Sequence, residues 1–279
     1  MIFDAEYDLD NAMQQVENVG RARIVTKGTR LSVAIEKPAS PVMLYSAGNI
    51  VANEYKLIWL PQSERVDSIE IEYIDRDLSW TRQTVFSRVA GFEALTRPAR
   101  VARIFIPGIH NAEQATREAI LRMQLTEQLK RSVEFSAGLD AIRCVLGDVF
   151  YFQHTGNAAT IGGRLGDDHA GVPEARLDQT VNLPAATFAG NCKLFVRLAD
   201  DTLTEINVVG PWDTDTDLLA LDADLTADRY DPFLLARATG EKLQYRLIRQ
   251  ARDSNQTYSL RAIEYNEDVY THADYDAAL

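Results

Sequence analysis

Asp213, Asp215, Asp217 and Asp224 are the residues whose spacing comes nearest to a recognisable chemistry. They form a D-x-D-x-D series with a further acid at its twelfth position. Carboxylates in that rhythm converge on a hard cation in loop-type calcium sites. Two positions break the pattern. Such a loop turns on a glycine at its sixth place and closes with a bidentate Glu at its twelfth, where this sequence has Leu218 and Asp224. The expectation is an acidic solvated loop, with these four acids as the metal candidates and no cofactor assigned.

The four histidines, His110, His154, His169 and His272, include no i,i+4 pair, so the helical zinc-protease pattern is absent. Asp167-Asp168-His169 offers ligand types, but in a polar stretch that reads first as a loop tip. Thr155–Gly171 holds Gly156, Gly162, Gly163, Gly166 and Gly171 without the Lys-Ser/Thr of a phosphate loop. It reads as a mobile hairpin loop. No Gly-x-Ser-x-Gly elbow and no Cys–His arrangement stands out. Phe150, Tyr151, Phe152 and Trp212 offer a ligand platform or, more simply, core. With 41 acids, carboxylate pairs for glycoside hydrolysis carry no specificity. The reading assigns no catalytic residue.

The elements that must position these residues divide along the chain. Leu9, Ala12, Met13, Val16 and Val19 give a helix over Asp8–Val19, stopped by Gly20. Strands follow at Ala22–Thr26, Leu31–Ile35, Tyr55–Leu60, Ser68–Asp75, Gln83–Val89 and Val101–Ile106, with a loop at Pro38/Pro41. A long helix starts at Asn111, which can cap it, and runs to about Lys130. Beyond it the pattern predicts strands almost exclusively, including one at Ala141–Leu146. Hairpins turn at Asp200-Asp201 and Arg252–Asn255. The fold class is therefore α+β and β-rich, with an α+β N-terminal half and an all-β, barrel-like C-terminal half. The expected divisions are 1–95, an α+β domain; 96–140, a strand and connecting helix; and 141–279, a β-barrel-like domain.

Composition narrows function by exclusion. The chain has 279 residues, 46% hydrophobic and 25% charged, which is ordinary for a globular protein. Its longest uncharged run, Pro38–Asn53, contains two Pro, a Gly and two Asn, and a spanning helix needs about 20 mostly apolar residues. Four acids among the first ten residues are unlike a signal peptide. Cys144 and Cys192 are isolated and form no disulfide framework. The net charge is −12, and it is uneven. Residues 1–140 hold 17 basic and 19 acidic side chains, whereas residues 141–279 hold 12 and 22. Tight DNA binding needs a basic patch, which is the opposite of the second half.

Six stretches, taken in order, carry a resemblance. Ser68-Ile-Glu-Ile-Glu-Tyr-Ile-Asp-Arg-Asp-Leu-Ser-Trp80 is a strand and acidic turn ending on an aromatic. Pro107-Gly-Ile-His-Asn-Ala-Glu-Gln-Ala-Thr-Arg-Glu-Ala119 is a helix start. Leu146-Gly-Asp-Val149, Gly163-Arg-Leu165, Leu177-Asp178 and Tyr258-Ser-Leu-Arg-Ala-Ile-Glu-Tyr-Asn-Glu-Asp-Val-Tyr270 follow. From Asp8 to Asp274 the chain resembles the central region of phage tail tip attachment (host-specificity) proteins of lambda-like siphophages and the tail-tip baseplate hub proteins of gene-transfer particles. Leu146 departs from the family's Pro at that place.

The resemblance implies a structural, non-catalytic role. It implies a homotrimeric hub in the virion, at the tail tip, assembled in the host bacterial cytoplasm. The implied partners are the tail tube, other tail-tip proteins and the tape-measure protein, with DNA passing without tight binding and no membrane insertion. It also implies that these residues are the hub portion of something longer. An acidic barrel repeated three times would line a channel along which DNA slides, because DNA affinity comes from Lys and Arg neutralising phosphates. The alternatives from other classes are a carbohydrate-binding or carbohydrate-active β-rich protein, and a calcium-dependent adhesion module built on Asp213–Asp224.

Overall fold

The computed structural model describes residues 8–27, 30–61, 65–153, 160–237, 244–253 and 256–270. The first part of the chain forms α1 (Leu9–Gly20), β1 (Ala22–Lys27), β2 (Arg30–Ile35), β3 (Pro41–Tyr45), β4 (Ile50–Trp59), β5 (Ser68–Asp75), β6 (Thr81–Arg88), β7 (Val101–Phe105) and α2 (Ala112–Gln128). It continues with β8 (Arg131–Ala137), β9 (Val149–Phe152), β10 (Thr160–Arg164), β11 (His169–Asn182), α3 (Ala185–Phe188), β12 (Cys192–Arg197), β13 (Leu203–Gly210), β14 (Asp215–Ala227), β15 (Pro232–Arg237), β16 (Gln244–Arg252) and β17 (Tyr258–Glu264). The fold is β-rich α+β with barrel-like sheets.

Two compact units form. One, the α+β unit, takes Met1–Pro38, Trp59–Arg131 and Asn266–Leu279. The other, the β unit, takes Ala39–Ile58 and Ser132–Tyr265.

In the α+β unit the alternation of Ser68–Asp75 does what period two requires. Ile69, Ile71 and Tyr73 are buried while Glu70 and Glu72 lie on the other face. β5 is the middle strand of the sheet β6-β5-β7, antiparallel to β6 and parallel to β7. Helix α2 packs its Ala115, Ala119 and Met123 against Ile69, Ile71 and Tyr73. Asn111 caps α2 by accepting from the Glu113 N–H at 2.7 Å. Glu118, inside the helix, is buried between two guanidinium groups, Arg21 at 2.7 Å and Arg122 at 2.6 Å. A buried carboxylate needs such partners to offset its lost hydration. Helix α1, whose Val19 packs on this core, leads into the two-stranded ribbon β1–β2.

The β unit holds two six-stranded sheets. The first has the order β10-β15-β12-β13-β14-β11, antiparallel throughout. An antiparallel bridge between Leu165 and Leu177 brings its two end strands together. The Gly166 N–H donating to the Arg176 carbonyl at 2.9 Å and the Gln179 amide donating to the Gly162 carbonyl at 3.0 Å close the same seam. The result is a small barrel filled by Leu165, Leu177, Leu194, Leu219, Phe233 and their neighbours. The second sheet has the order β3-β9-β16-β17-β8-β4, in which β3 and β9 pair in parallel and β9–β16, β16–β17 and β17–β8 pair antiparallel. Its core is aromatic: Phe150 lies 5.0 Å from Tyr45 and 5.8 Å from Phe135, ring centre to ring centre. Such contacts add to the area they bury.

Strand β3 connects the two sheets. Met43 and Tyr45 enter the aromatic core, and Leu44 between them enters a second cluster with Phe195, Leu234 and Ala236. Both faces of β3 are therefore buried from Met43 to Tyr45, which explains the unbroken apolar run Met-Leu-Tyr, while Val42 before it is exposed.

Three local expectations are corrected. The Pro38/Pro41 segment contains β3, in which Pro41 sits at the first strand position, where a missing N–H is tolerated. Ala141–Leu146 is not a strand but follows a tight turn of 3-10 helix, Leu139–Arg143. Buried Ala141 and Cys144 are three apart while Leu139 and Ile142 are exposed, a helical spacing and not an alternation. The described part of the glycine-rich stretch holds β10, a barrel strand. A Cβ on Gly162 would stand 2.6 Å from Gln153 Oε1, and one on Gly166 2.7 Å from the Leu177 carbonyl. Close approach of neighbouring chains, not loop mobility, accounts for these glycines.

Candidate functional site

The chemistry-bearing residues are spread apart by the barrel. Asp215, Asp217 and Asp224 lie on one extended strand, β14, and face outward. At about 3.3 Å per residue, Asp215 and Asp224 are separated by roughly 30 Å. Each of the first three acids has a local role. Asp213 accepts from the Ala185 N–H at 3.0 Å, at the first turn of α3. Asp215 accepts from the Asn182 amide at 2.8 Å, and Asp217 lies 3.7 Å from the Arg176 guanidinium. The acidic loop of the sequence reading is thus mostly a strand with a solvated outer face.

His169 is buried, and its Nε2 accepts from the Arg176 N–H at 2.9 Å. The ring spans an irregularity in β11, where the register against β14 shifts, so its lone pair is already used. Asp168 accepts from the Arg229 N–H at 2.7 Å. Among the described residues, no three His, Cys, Asp or Glu side chains come together as a metal site. His110 places Nδ1 3.2 Å from the Ile74 carbonyl and its ring 5.2 Å from that of Trp80. His154 and His272 lie outside the described residues. Phe150 and Phe152 are core, Tyr151 packs on Phe195 and Trp212 packs on the barrel interior. They form no platform together. Both cysteines are free and buried, and burial pushes each thiol up to about 12.

What the structure does bring together are surfaces. The outer wall of β11, β14 and β13 exposes Glu174, Asp178, Asp215, Asp217, Asp222, Asp224 and Glu205. The β unit as a whole holds 13 basic and 21 acidic side chains, a net of −8. The α+β unit presents apolar side chains instead. On the sheet face opposite α2, Phe86 and Phe105 are exposed, with the Arg88 guanidinium 4.4 Å and the Arg82 guanidinium 4.9 Å from their ring centres. The β5–β6 turn holds out Leu78 and Trp80. Ser79 and Trp80 both have positive φ, 58° and 60°, a conformation that costs energy in residues with a bulky side chain. Asp75 fixes the turn. Burial raises its pKa, but hydrogen bonds from the Asp77 N–H, the Tyr73 hydroxyl and the Leu78 N–H outweigh burial and hold the carboxyl below its ordinary value. Sequence reading missed these exposed groups because an exposed Phe and a core Phe look alike on a strand. The one available signal was the pair of apolar residues, Leu78 and Trp80, between the strands expected at Ser68–Asp75 and Gln83–Val89.

These units match a known group. Residues 12–163, more than half of the chain, match the family model Phage-tail_3, described as "Putative phage tail protein". The chain belongs to this phage tail protein family. Its fold is similar to that of a chain in the virion of a native gene transfer agent particle, at TM-score 0.53 and 8% identity, over 95% of this chain and 40% of that one. The chain thus spans less than half the length of that structure's chain. A tail protein from Neisseria meningitidis MC58 aligns at TM-score 0.44 and 8% identity, covering 95% of this chain and 57% of that one. A 43 kDa tail protein of prophage MuSo2 from Shewanella oneidensis aligns at 0.36 and 9%, covering 85% and 57%. No curated protein matches the sequence. As a member of the family the chain is a structural tail component, and no helix among the described residues is long and apolar enough to cross a membrane.

Proposed function

We propose that this tail protein is a homotrimeric hub at the tail tip. It closes the tail tube, anchors tip and fibre parts, and opens for DNA during infection. Family membership over residues 12–163 is the observation that carries the reading. The barrel, which has the closed and rigid form a ring component needs, supports it. In this assignment residues 141–279, together with β3, β4 and β8, contribute to the tube, and the remainder of residues 1–140 forms the α+β hub domain. The neighbours in the particle are the tail tube, other tip proteins and the tape-measure protein. The activity is mechanical, with no catalytic residue assigned.

Immunogold labelling of intact particles tests the position. Label confined to the distal end of the tail is the expected result. Label along the tail or at the neck overturns the tip assignment. Sedimentation of the purified chain over a wide concentration range tests the trimer.

A further inference from the structure

The barrel and the second sheet keep separate cores and meet through a thin apolar seam. Leu44 of β3 lies in that seam with Phe195, Leu234 and Ala236 of the barrel, and Tyr151 and Leu203 border it. Polar contacts join the two bodies on either side of Leu44. Past the end of β3, Arg164 Nε donates to the Gly48 carbonyl at 2.9 Å, a guanidinium on a neutral acceptor. Beside Met43, earlier in the strand, the contact is ionic.

Arg197 of β12 reaches Asp140 at 3.3 Å and Asp201 at 3.4 Å. Asp201, in the β12–β13 hairpin, also pairs with Arg143. Asp140 and Arg143 both belong to the 3-10 turn Leu139–Arg143 beside the second sheet. Two carboxylates and two guanidinium groups therefore alternate, and both crossings between that turn and the barrel are ion pairs. The Arg197 side chain is only 13% exposed, yet it is poorly bonded. Its Nε makes no hydrogen bond among the described residues, and one terminal nitrogen donates to the Met43 sulfur at 3.1 Å, a weak acceptor. The buried Tyr45 hydroxyl, in the field of Asp140 and Arg197, is unbonded too. A buried ionic network satisfied only in part holds its elements less well than apolar packing of the same shape. Between two well-packed cores, this is where the unit opens at least cost.

We propose that the ring Asp140–Arg197–Asp201–Arg143 is a releasable latch, and that opening it lets the barrel move off the second sheet as a rigid body. The barrel keeps its core, the second sheet keeps its aromatic core, and the Arg164–Gly48 contact is kept. Only the seam around Leu44 is uncovered. The device belongs to the β unit alone and does not depend on the hub reading.

Thiol accessibility in the full chain tests the latch. Ala236→Cys places a small reporter in the seam, where Ala236 is buried. The native thiols are internal controls, because Cys192 lies in the barrel core and Cys144 in the aromatic core. Labelling with N-ethylmaleimide is followed at each position by mass spectrometry. The seam thiol should react faster than both controls. Adding Asp140→Asn or Arg143→Gln, both at partly exposed members of the ring, should speed it by about threefold or more, the scale of one partly exposed ion pair. Cys144 and Cys192 should keep their rates. Three thiols that react at one common rate in every variant overturn the proposal, because the seam is then uncovered only by global unfolding. So does a seam thiol indifferent to both substitutions. Equal acceleration of all three shows a ring that holds the fold together and releases nothing, and it overturns the latch as well.

Discussion

The two units solve the problem of apolar surface in opposite ways. The β unit encloses it. Strand β3 of one sheet packs Leu44 against the other, the barrel seals at Leu165–Leu177, and its exposed wall is acidic. The α+β unit leaves it open. Of the 17 large hydrophobic residues exposed among those described, 11 belong to this smaller unit, including Leu31, Val33, Ile35, Trp80, Phe86 and Phe105. Clustered exposed hydrophobics mark contact surfaces far more often than they mark solvent-facing ones. The contrast separates a self-sufficient scaffold from a layer completed by its neighbours. It fits a tail component, whose parts must be rigid along one path and adhesive elsewhere.

If that division is right, substitutions in the β unit act on folding. Phe150→Ala should have the largest effect, a loss of about 3–5 kcal/mol, because the ring is fully buried among Tyr45, Phe135 and Tyr245. Denaturant titration checks it, and a loss below about 1 kcal/mol would show that the aromatic core is loosely packed. Gly166→Ala comes next, at about 1–3 kcal/mol. Its new methyl would meet the Leu177 carbonyl at the barrel seam, and hydrogen exchange at Leu177 and Arg176 should accelerate.

The α+β unit should reveal itself through pH. The Arg97 guanidinium holds the Asp67 carboxyl at about 2, against an ordinary 3.8, through two hydrogen bonds of 2.7 Å. A depressed folded pKa contributes stability above the unfolded value and loses it as pH falls through the folded one. Unmodified protein should therefore lose stability between pH 3.8 and about 2, and Asp67→Asn should flatten that part of the profile in an acid titration followed by circular dichroism. The smallest effect is expected at Asp217. Its contact with Arg176 is exposed and 3.7 Å long, so Asp217→Asn should change stability by less than about 0.5 kcal/mol. A larger loss would mean that the acidic wall contributes to folding, and the contrast between the units would blur.

Local pattern carried much of the fold. Ser68–Asp75 and the helix capped by Asn111 could be read directly, because alternation and capping are properties of neighbouring residues. The hairpin at Asp200-Asp201 was equally legible. The pairing of β3 with β9 was not, since nothing near Pro41 says that its partner begins at Val149. The same limit hid the reason for Gly162 and Gly166, whose crowding neighbours are distant in the chain or across the seam. The acids of β14 misled for a related reason. Alternating Asp residues suit a metal loop and the wet side of a strand equally, and only the pairing of Leu219 and Leu221 into the barrel decides between them. The candidate surfaces were the least legible part, because exposure belongs to the packed chain and not to a residue type.

The order in which the chain is made gives the position of β3 a consequence in time. Strands β3 and β4 leave the ribosome early, yet the sheet they edge lacks its inner strands β16 and β17 until Glu264 has been added. The other unit waits as well, because the Tyr270 hydroxyl reaches back to Glu36 and Asn266 donates to Gln128. Contacts of such long sequence separation form slowly. Neither unit is finished before the last described turn, Glu267–Tyr270, emerges, so a nascent copy has no completed surface to offer an assembling particle until that turn has been made.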